Sequence, residues 1–137
     1  MSAAPKKKVL IIDDETGFAI ILKIALEEHG GYDVRVENGC LEGFATACKF
    51  KPDVVLMDVR LPDGSGPLTA AKLKGEEGLK HASLIFVSAT PLEENSKLLK
   101  GLSGCPYITK PAGPDEILTC IRQVLDNGKH GNGGNGK

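Results

Sequence analysis

The 137-residue chain contains no tryptophan, and aromatic residues make up only 4% of it. That scarcity excludes base-stacking platforms and aromatic sugar clefts as the basis of its binding. Charge of one sign is also lacking: the formal net charge is −1, so no broad attraction to nucleic acid or anionic lipid is expected. The basic cluster Lys6 to Lys8 reads as a solvated terminus. Long apolar runs are missing too. The run that follows those lysines, Val9 to Ile12, stops at Asp13, far short of a signal-peptide core or a membrane span. The expected location is therefore cytoplasmic, with no membrane partner. Cys40, Cys48, Cys105 and Cys120 include no Cys-x-x-Cys pair, so neither zinc nor dithiol chemistry is indicated. Cys40 and Cys48 share a helix face and read as small buried hydrophobes.

Hydrophobic residues, by contrast, reach 41%, enough for one core in one domain of ordinary size. Val9–Ile12, Val54–Met57 and Leu84–Val87 are short continuous apolar runs. Such runs suit strands buried on both faces of a parallel sheet. Weaker strands are expected at Tyr32–Glu37 and Pro106–Thr109. Helical spacing lies between them. Phe18, Ile21, Leu22 and Ala25 form one face, stopped by Gly30-Gly31, and Leu41, Phe44, Ala45 and Cys48 form another, stopped by Pro52. Gly66-Pro67 opens a third helix, Thr90-Pro91-Leu92-Glu93 reads as a capping box for a fourth, and Gly113-Pro114 opens a fifth with Ile117, Ile121, Val124 and Leu125 on its face. Five β–α units in sequence predict an α/β fold, a doubly wound parallel sheet with helices on both faces. The domain is expected over residues 1–127, followed by a flexible Gly/Asn-rich tail over 128–137.

The strand ends carry the chemistry. The first ends at Asp13-Asp14, the third at Asp58, the fourth at Ser88 and the fifth at Thr109-Lys110. All are carboxyl ends, the edge where open α/β sheets bind ligands. Glu37-Asn38, after the second strand, is expected to lie away from the site. Taken singly these residues are ordinary: acids serve helix dipoles, an Asp starts a turn, a serine bonds nearby backbone, a lysine is solvated. Together they form a constellation. Two carboxylates about 4 Å apart repel by roughly 4 kcal/mol at an effective dielectric near 20, and three by on the order of 10 kcal/mol. A divalent cation relieves that repulsion, and oxygen ligands with room for water suit Mg²⁺. A carboxylate can attack phosphorus to give an acyl phosphate, which needs positioning and neutralised oxygens. Asp58 is the expected nucleophile because it ends the central apolar strand; Asp13 and Asp14 are expected metal ligands, and Ser88 can bond a phosphoryl oxygen.

These residues match a family pattern. The acidic pair in Ile11-Ile12-Asp13-Asp14, the segment Val54-Val55-Leu56-Met57-Asp58, Pro62 four residues later and Gly66 eight later, Ser88-Ala89, and Tyr107 three before Lys110-Pro111 stand in the order and spacing of a receiver domain. Over Lys8 to Asp126 the chain resembles the receiver domains of bacterial two-component response regulators. The resemblance implies a five-stranded sheet of flavodoxin-like order 2-1-3-4-5 with five helices. It also implies a signalling switch, not an enzyme, that assists its own phosphorylation and dephosphorylation and is charged by a histidine kinase or phosphotransfer protein. By residue it implies Asp58 as phosphoacceptor, Asp14 as a direct Mg²⁺ ligand, Asp13 as one acting mainly through water, and the Arg60 backbone carbonyl as a further ligand. It implies Ser88 as switch hydroxyl, Tyr107 as switch aromatic, Lys110 as phosphate-binding base, and a cis Lys110-Pro111 bond. The downstream protein partner and the kinase are not legible, and dimerisation on activation stays open.

The chain departs from the pattern in places. Arg60 and Thr90 occupy positions that tune dephosphorylation in the family, and a cation at Arg60 is expected to alter the access of water. Thr90 itself reads as a helix cap. Leu102 to Pro106 and Ala112 are unusual near the common output face and put the partner surface in doubt. An alternative reading is a pseudo-receiver that binds partners without phosphorylation, although no member of the acid–lysine set is missing. A haloacid-dehalogenase-like phosphohydrolase needs a second Asp two residues after the nucleophile, where Arg60 stands. A flavodoxin-like FMN carrier needs a phosphate-welcoming first loop, and Asp13-Asp14-Glu15 repels one.

Overall fold

The computed structural model describes residues 5–102 and 104–131. The continuous apolar runs are strands: β1 (Lys8–Ile12), β3 (Val54–Met57) and β6 (Ser83–Ser88), flanked by β2 (Asp33–Glu37) and β7 (Tyr107–Thr109). They form one parallel sheet in the order β2-β1-β3-β6-β7, the doubly wound 2-1-3-4-5 order expected. A two-stranded hairpin, β4 (Arg60–Leu61) with β5 (Gly64–Ser65), follows β3 and had no signal in the apolar pattern.

Alternate strand residues serve opposite faces. Leu10, Ile12, Val55, Met57, Leu84 and Phe86 pack under α2 (Cys40–Phe50) and α3 (Gly66–Gly75). Val9, Ile11, Val54, Leu56, Ile85 and Val87 pack under α1 (Thr16–Gly30) and α5 (Pro114–Gly131). Each fully buried side chain of this kind contributes about 1.5–3 kcal/mol. Ile117 and Ile121 of α5 are fully buried, and Val124 and Leu125 join them at the margin, as its periodicity predicts.

The first two helices are rotated from the expected faces. In α1 the buried residues are Ala19, Leu22 and Leu26, while Ile21 is 64% exposed beside the exposed Ile20 and Ile24. Phe18 to Leu22 is apolar without a break, so spacing alone could not fix the azimuth. In α2 the buried set is Cys40, Gly43, Ala47 and Phe50, and Leu41 is exposed. The helix ends are as read: Gly31 closes α1 in the left-handed region at φ 69°, donating its N–H to Glu27. Lys51 closes α2 just before Pro52.

Thr90 is not a helix cap. α4 (Leu92–Asn95) is a single turn with Pro91 at its N-cap and no side-chain cap bond. The helix begins one residue later than the box requires, which takes Thr90 out of capping register. Ser65 does cap α3, accepting from the Leu68 N–H. α5 continues through Gly131, beyond the expected domain end at 127, because extending a nucleated helix costs only about 1 kcal/mol per glycine. Residues 132–137 of the expected tail lie outside the described residues, as does Ser103 in the segment before β7.

Candidate functional site

Parallel pairing brings the acids together. Ile12 of β1 stands opposite Met57 of β3, so the next residues, Asp13 and Asp58, leave adjacent strands side by side. Both are buried, at 2% and 8% exposure, and Asp14 is exposed. Carboxylate oxygens of Asp13, Asp14 and Asp58 lie within 4.8 Å of one another. On the other flank, the Lys110 N–H donates to the Ser88 carbonyl at 2.8 Å, which carries the lysine past the end of β6. Its Nζ then reaches back to Asp13 Oδ2 at 2.9 Å and Asp58 Oδ2 at 3.5 Å. The Phe18 ring lies 4.5 Å from that ammonium, a cation–π contact that also limits solvent there. The Lys110-Pro111 bond is cis.

Burial pushes the Asp13 carboxyl above its usual range, against hydrogen bonds from Lys110 and the Glu15 N–H that pull it down. Asp58 is raised as well, first by burial and then by the charge of Asp13, with Lys110 opposing. For Lys110, burial favours the neutral amine, but its hydrogen bonds to Glu15 and Asp13 and the charges of Asp13 and Asp58 outweigh this, and its pKa is raised. The ammonium therefore stays charged at neutral pH. Three carboxylates, those of Asp13, Glu15 and Asp58, crowd one ammonium, and Asp14 stands beside two of them. All donors are hard oxygens, one on an exposed residue, and the set fits Mg²⁺ with part of its water shell retained.

The loop after Asp58 is held without slack. The Gly66 N–H donates to the Val59 carbonyl at 2.8 Å. A Cβ at Gly66 would sit 2.0 Å from the Asp58 carbonyl oxygen, so the glycine eight residues after the acid is a steric requirement of the site. Asp63, within the same hairpin, accepts from the Cys40 and Leu41 N–H groups and so caps α2; those bonds hold its carboxyl below its usual range.

Three residues were misjudged or missed in the sequence. Asn38 is not remote: its Nδ2 donates to the Asp13 carbonyl at 2.9 Å, and the Asp13 N–H donates to the Glu37 carbonyl at 3.0 Å. Its place directly after β2, the strand beside β1, was the available signal. Glu15 bonds Lys110, which its adjacency to Asp13-Asp14 foreshadowed. Asn95 is fully buried behind the site, and no pattern marked it. The Arg60 side chain donates through Nη2 to Asn95 Oδ1 at 3.0 Å. Tyr107 is half-buried, and its hydroxyl donates to the Thr90 carbonyl.

Comparison with known proteins places this geometry. The response regulator receiver domain profile matches residues 9–122. The chain belongs to that family. It is 32% identical to the phosphate regulon transcriptional regulatory protein PhoB of Pseudomonas aeruginosa over 119 residues, 87% of this chain and 52% of that protein. The chain thus spans about half the length of that relative. It is 30% identical to the polar-differentiation response regulator DivK of Brucella anthropi over 87% of this chain and 96% of that one. A crystal structure of a CheY-like receiver domain protein from Methanospirillum hungatei JF-1 superposes with TM-score 0.83 at 29% identity, covering 92% of this chain and 98% of that one. Receiver domains are signalling switches of two-component systems, and this receiver carries the acidic pocket of Asp13, Asp14 and Asp58. Among the described residues, no helix is long and apolar enough to cross a membrane.

Proposed function

We propose that this receiver accepts a phosphoryl group on Asp58 from a phosphohistidine of a histidine kinase or phosphotransfer protein, in a Mg²⁺-dependent reaction, and thereby switches a partner-binding surface. The observation that supports it most is the buried Asp58 beside buried Asp13, with one lysine reaching both. The Asp58 oxygen attacks phosphorus while the phosphorus–nitrogen bond breaks. The electron pair leaves with the donor imidazole, which takes up a proton, and an acyl phosphate remains.

Asp13, Asp14, Asp58 and the Arg60 backbone carbonyl would hold the ion, which when bound neutralises charge on the transferred oxygens. Lys110, freed from part of its hold on Asp13 and Asp58, bonds a phosphoryl oxygen. The Ser88 hydroxyl supplies a further donor and, with Tyr107, reports the change by a population shift. Hydrolysis of the acyl phosphate at the same acids resets the domain. The reading carries a cytoplasmic location, a domain that extends through α5 to Gly131, and no direct contact with nucleic acid.

The test is intact mass after incubation with acetyl phosphate, with and without Mg²⁺, for the native chain and Asp58→Asn. The expected result is a Mg²⁺-dependent gain of one phosphoryl group that the variant lacks. A gain retained by Asp58→Asn would move the acceptor elsewhere. No gain, together with no Mg²⁺ binding, would leave a pseudo-receiver.

A further inference from the structure

We infer that Asn95 is a positioning residue that ties Tyr107 to the phosphoacceptor loop through Arg60; the coupling to phosphorylation rests on the function proposed above. Asn95 closes the single turn of α4 and has 0% exposure. A buried amide left without partners is costly, so its bonds decide where it sits and what it holds. Its Oδ1 accepts from Arg60 Nη2 at 3.0 Å, and its Nδ2 donates to the Tyr107 hydroxyl at 2.7 Å. Its backbone carbonyl accepts from the N–H groups of Leu98 and Leu99, which fixes the amide relative to the chain beyond α4.

The bridge continues at both ends. Beyond Tyr107, the hydroxyl donates to the Thr90 carbonyl, and the Thr90 N–H donates to Ser88 Oγ at 3.2 Å. Beyond Arg60, the backbone N–H reaches Asp58 Oδ1 at 3.4 Å. One residue thus touches the acceptor carboxylate with its backbone and the buried amide with its side chain. The two ends differ in their freedom. Arg60 is exposed, so its guanidinium can withdraw into water at little cost, whereas Asn95 then loses the partner of its Oδ1. Displacement of the Asp58–Arg60 segment alters the hold on Tyr107, and the bridge as observed favours the ring position in which the hydroxyl is turned in to Asn95 and the Thr90 carbonyl.

The chain has two tyrosines, so ring-¹³C tyrosine labelling gives two sets of signals, with Tyr32 as internal control. Asn95→Leu and Arg60→Met are each expected to shift the Tyr107 resonances in the same direction, with no larger shift in the double variant, and to leave Tyr32 unchanged. Arg60→Met alters an exposed side chain, so it decides the case even where Asn95→Leu fails to fold. Unchanged Tyr107 resonances in Arg60→Met would overturn the bridge. For the coupling, Mg²⁺ with beryllofluoride is titrated as a phosphoryl mimic. Half-saturation is expected at about 5-fold higher beryllofluoride in Asn95→Leu than in the native chain, because the bridge holds Tyr107 in the turned-in position that the phosphoryl group favours; equal values would overturn the coupling. A native chain that does not respond to beryllofluoride would overturn the phosphoacceptor reading, and the coupling with it, whatever the Tyr107 resonances do in the variants.

Discussion

The two edges of the parallel sheet carry similar numbers of charged residues and treat them in opposite ways. At the amino edge, a cavity of about 520 Å³ is lined by Lys7, Asp53, His81, Arg122 and Asp126 among others. Opposite charges alternate there. Asp53 accepts from the Lys8 backbone N–H at 2.8 Å and has His81 Nε2 at 3.7 Å. At the carboxyl edge, acids of one sign are buried together around one lysine. The hollow at the amino edge is lined by both signs of charge. The acidic cluster leaves its charge unbalanced, so charge imbalance, and not the presence of a hollow, singles out the carboxyl edge.

The sharpest way to break this contrast is to exchange the effects of the two edges. Asp58→Asn is expected to abolish labelling by acetyl phosphate, while Asp53→Ala leaves the labelling rate within about 2-fold, both read by intact mass. Gly66→Ala comes next. Its Cβ would press on the Asp58 carbonyl oxygen at 2.0 Å, and relief requires a backbone shift at Asp58. A stability loss of about 3 kcal/mol by denaturant titration and a labelling rate reduced by at least about 10-fold are expected. Gly75→Ala, with nothing near its added Cβ, is the matched control: it should leave the labelling rate unchanged and raise stability by about 0.5–1 kcal/mol.

Acidity offers a gentler probe. The pKa values of Asp13 and Asp58 are raised from 3.8, so the folded protein binds protons that the unfolded chain has already released. Without a divalent cation, stability carried by these two groups is therefore highest in acid and falls as pH rises from about 4 through their folded pKa values. Protons also compete for the ion. Mg²⁺ affinity, followed by calorimetry, should weaken as pH is lowered, beginning above 3.8. A flat profile down to about pH 4.5 would show carboxylates of ordinary acidity. The smallest effect belongs to the amino edge, where Asp53→Ala should lower stability by about 1–2 kcal/mol through its bond to the Lys8 N–H.

Much of this was legible from residue order. Strands buried on both faces announce themselves as unbroken apolar runs, and their carboxyl ends then had to hold Asp13, Asp14, Asp58, Ser88 and Lys110. Helix azimuth was less legible, because Phe18 to Leu22 offers an apolar residue in every direction, and only packing against the sheet selects Ala19, Leu22 and Leu26. Asn95 was invisible for a different reason. A single polar residue in a one-turn helix has no period, and its importance comes from partners 35 residues before and 12 residues after it. Asn38 was misjudged because one strand end was treated as remote, although β2 lies directly beside β1.

The crowding of Asp13 and Asp58 also has an evolutionary consequence. A site that burdens the fold when it holds neither ion nor phosphoryl group is one that heat resistance alone would erase. Asp58→Asn removes a charge that both burial and Asp13 oppose, and should raise the melting temperature of the metal-free domain. Persistence of that acid in descendants would record continued demand for signalling, because stability by itself favours its loss.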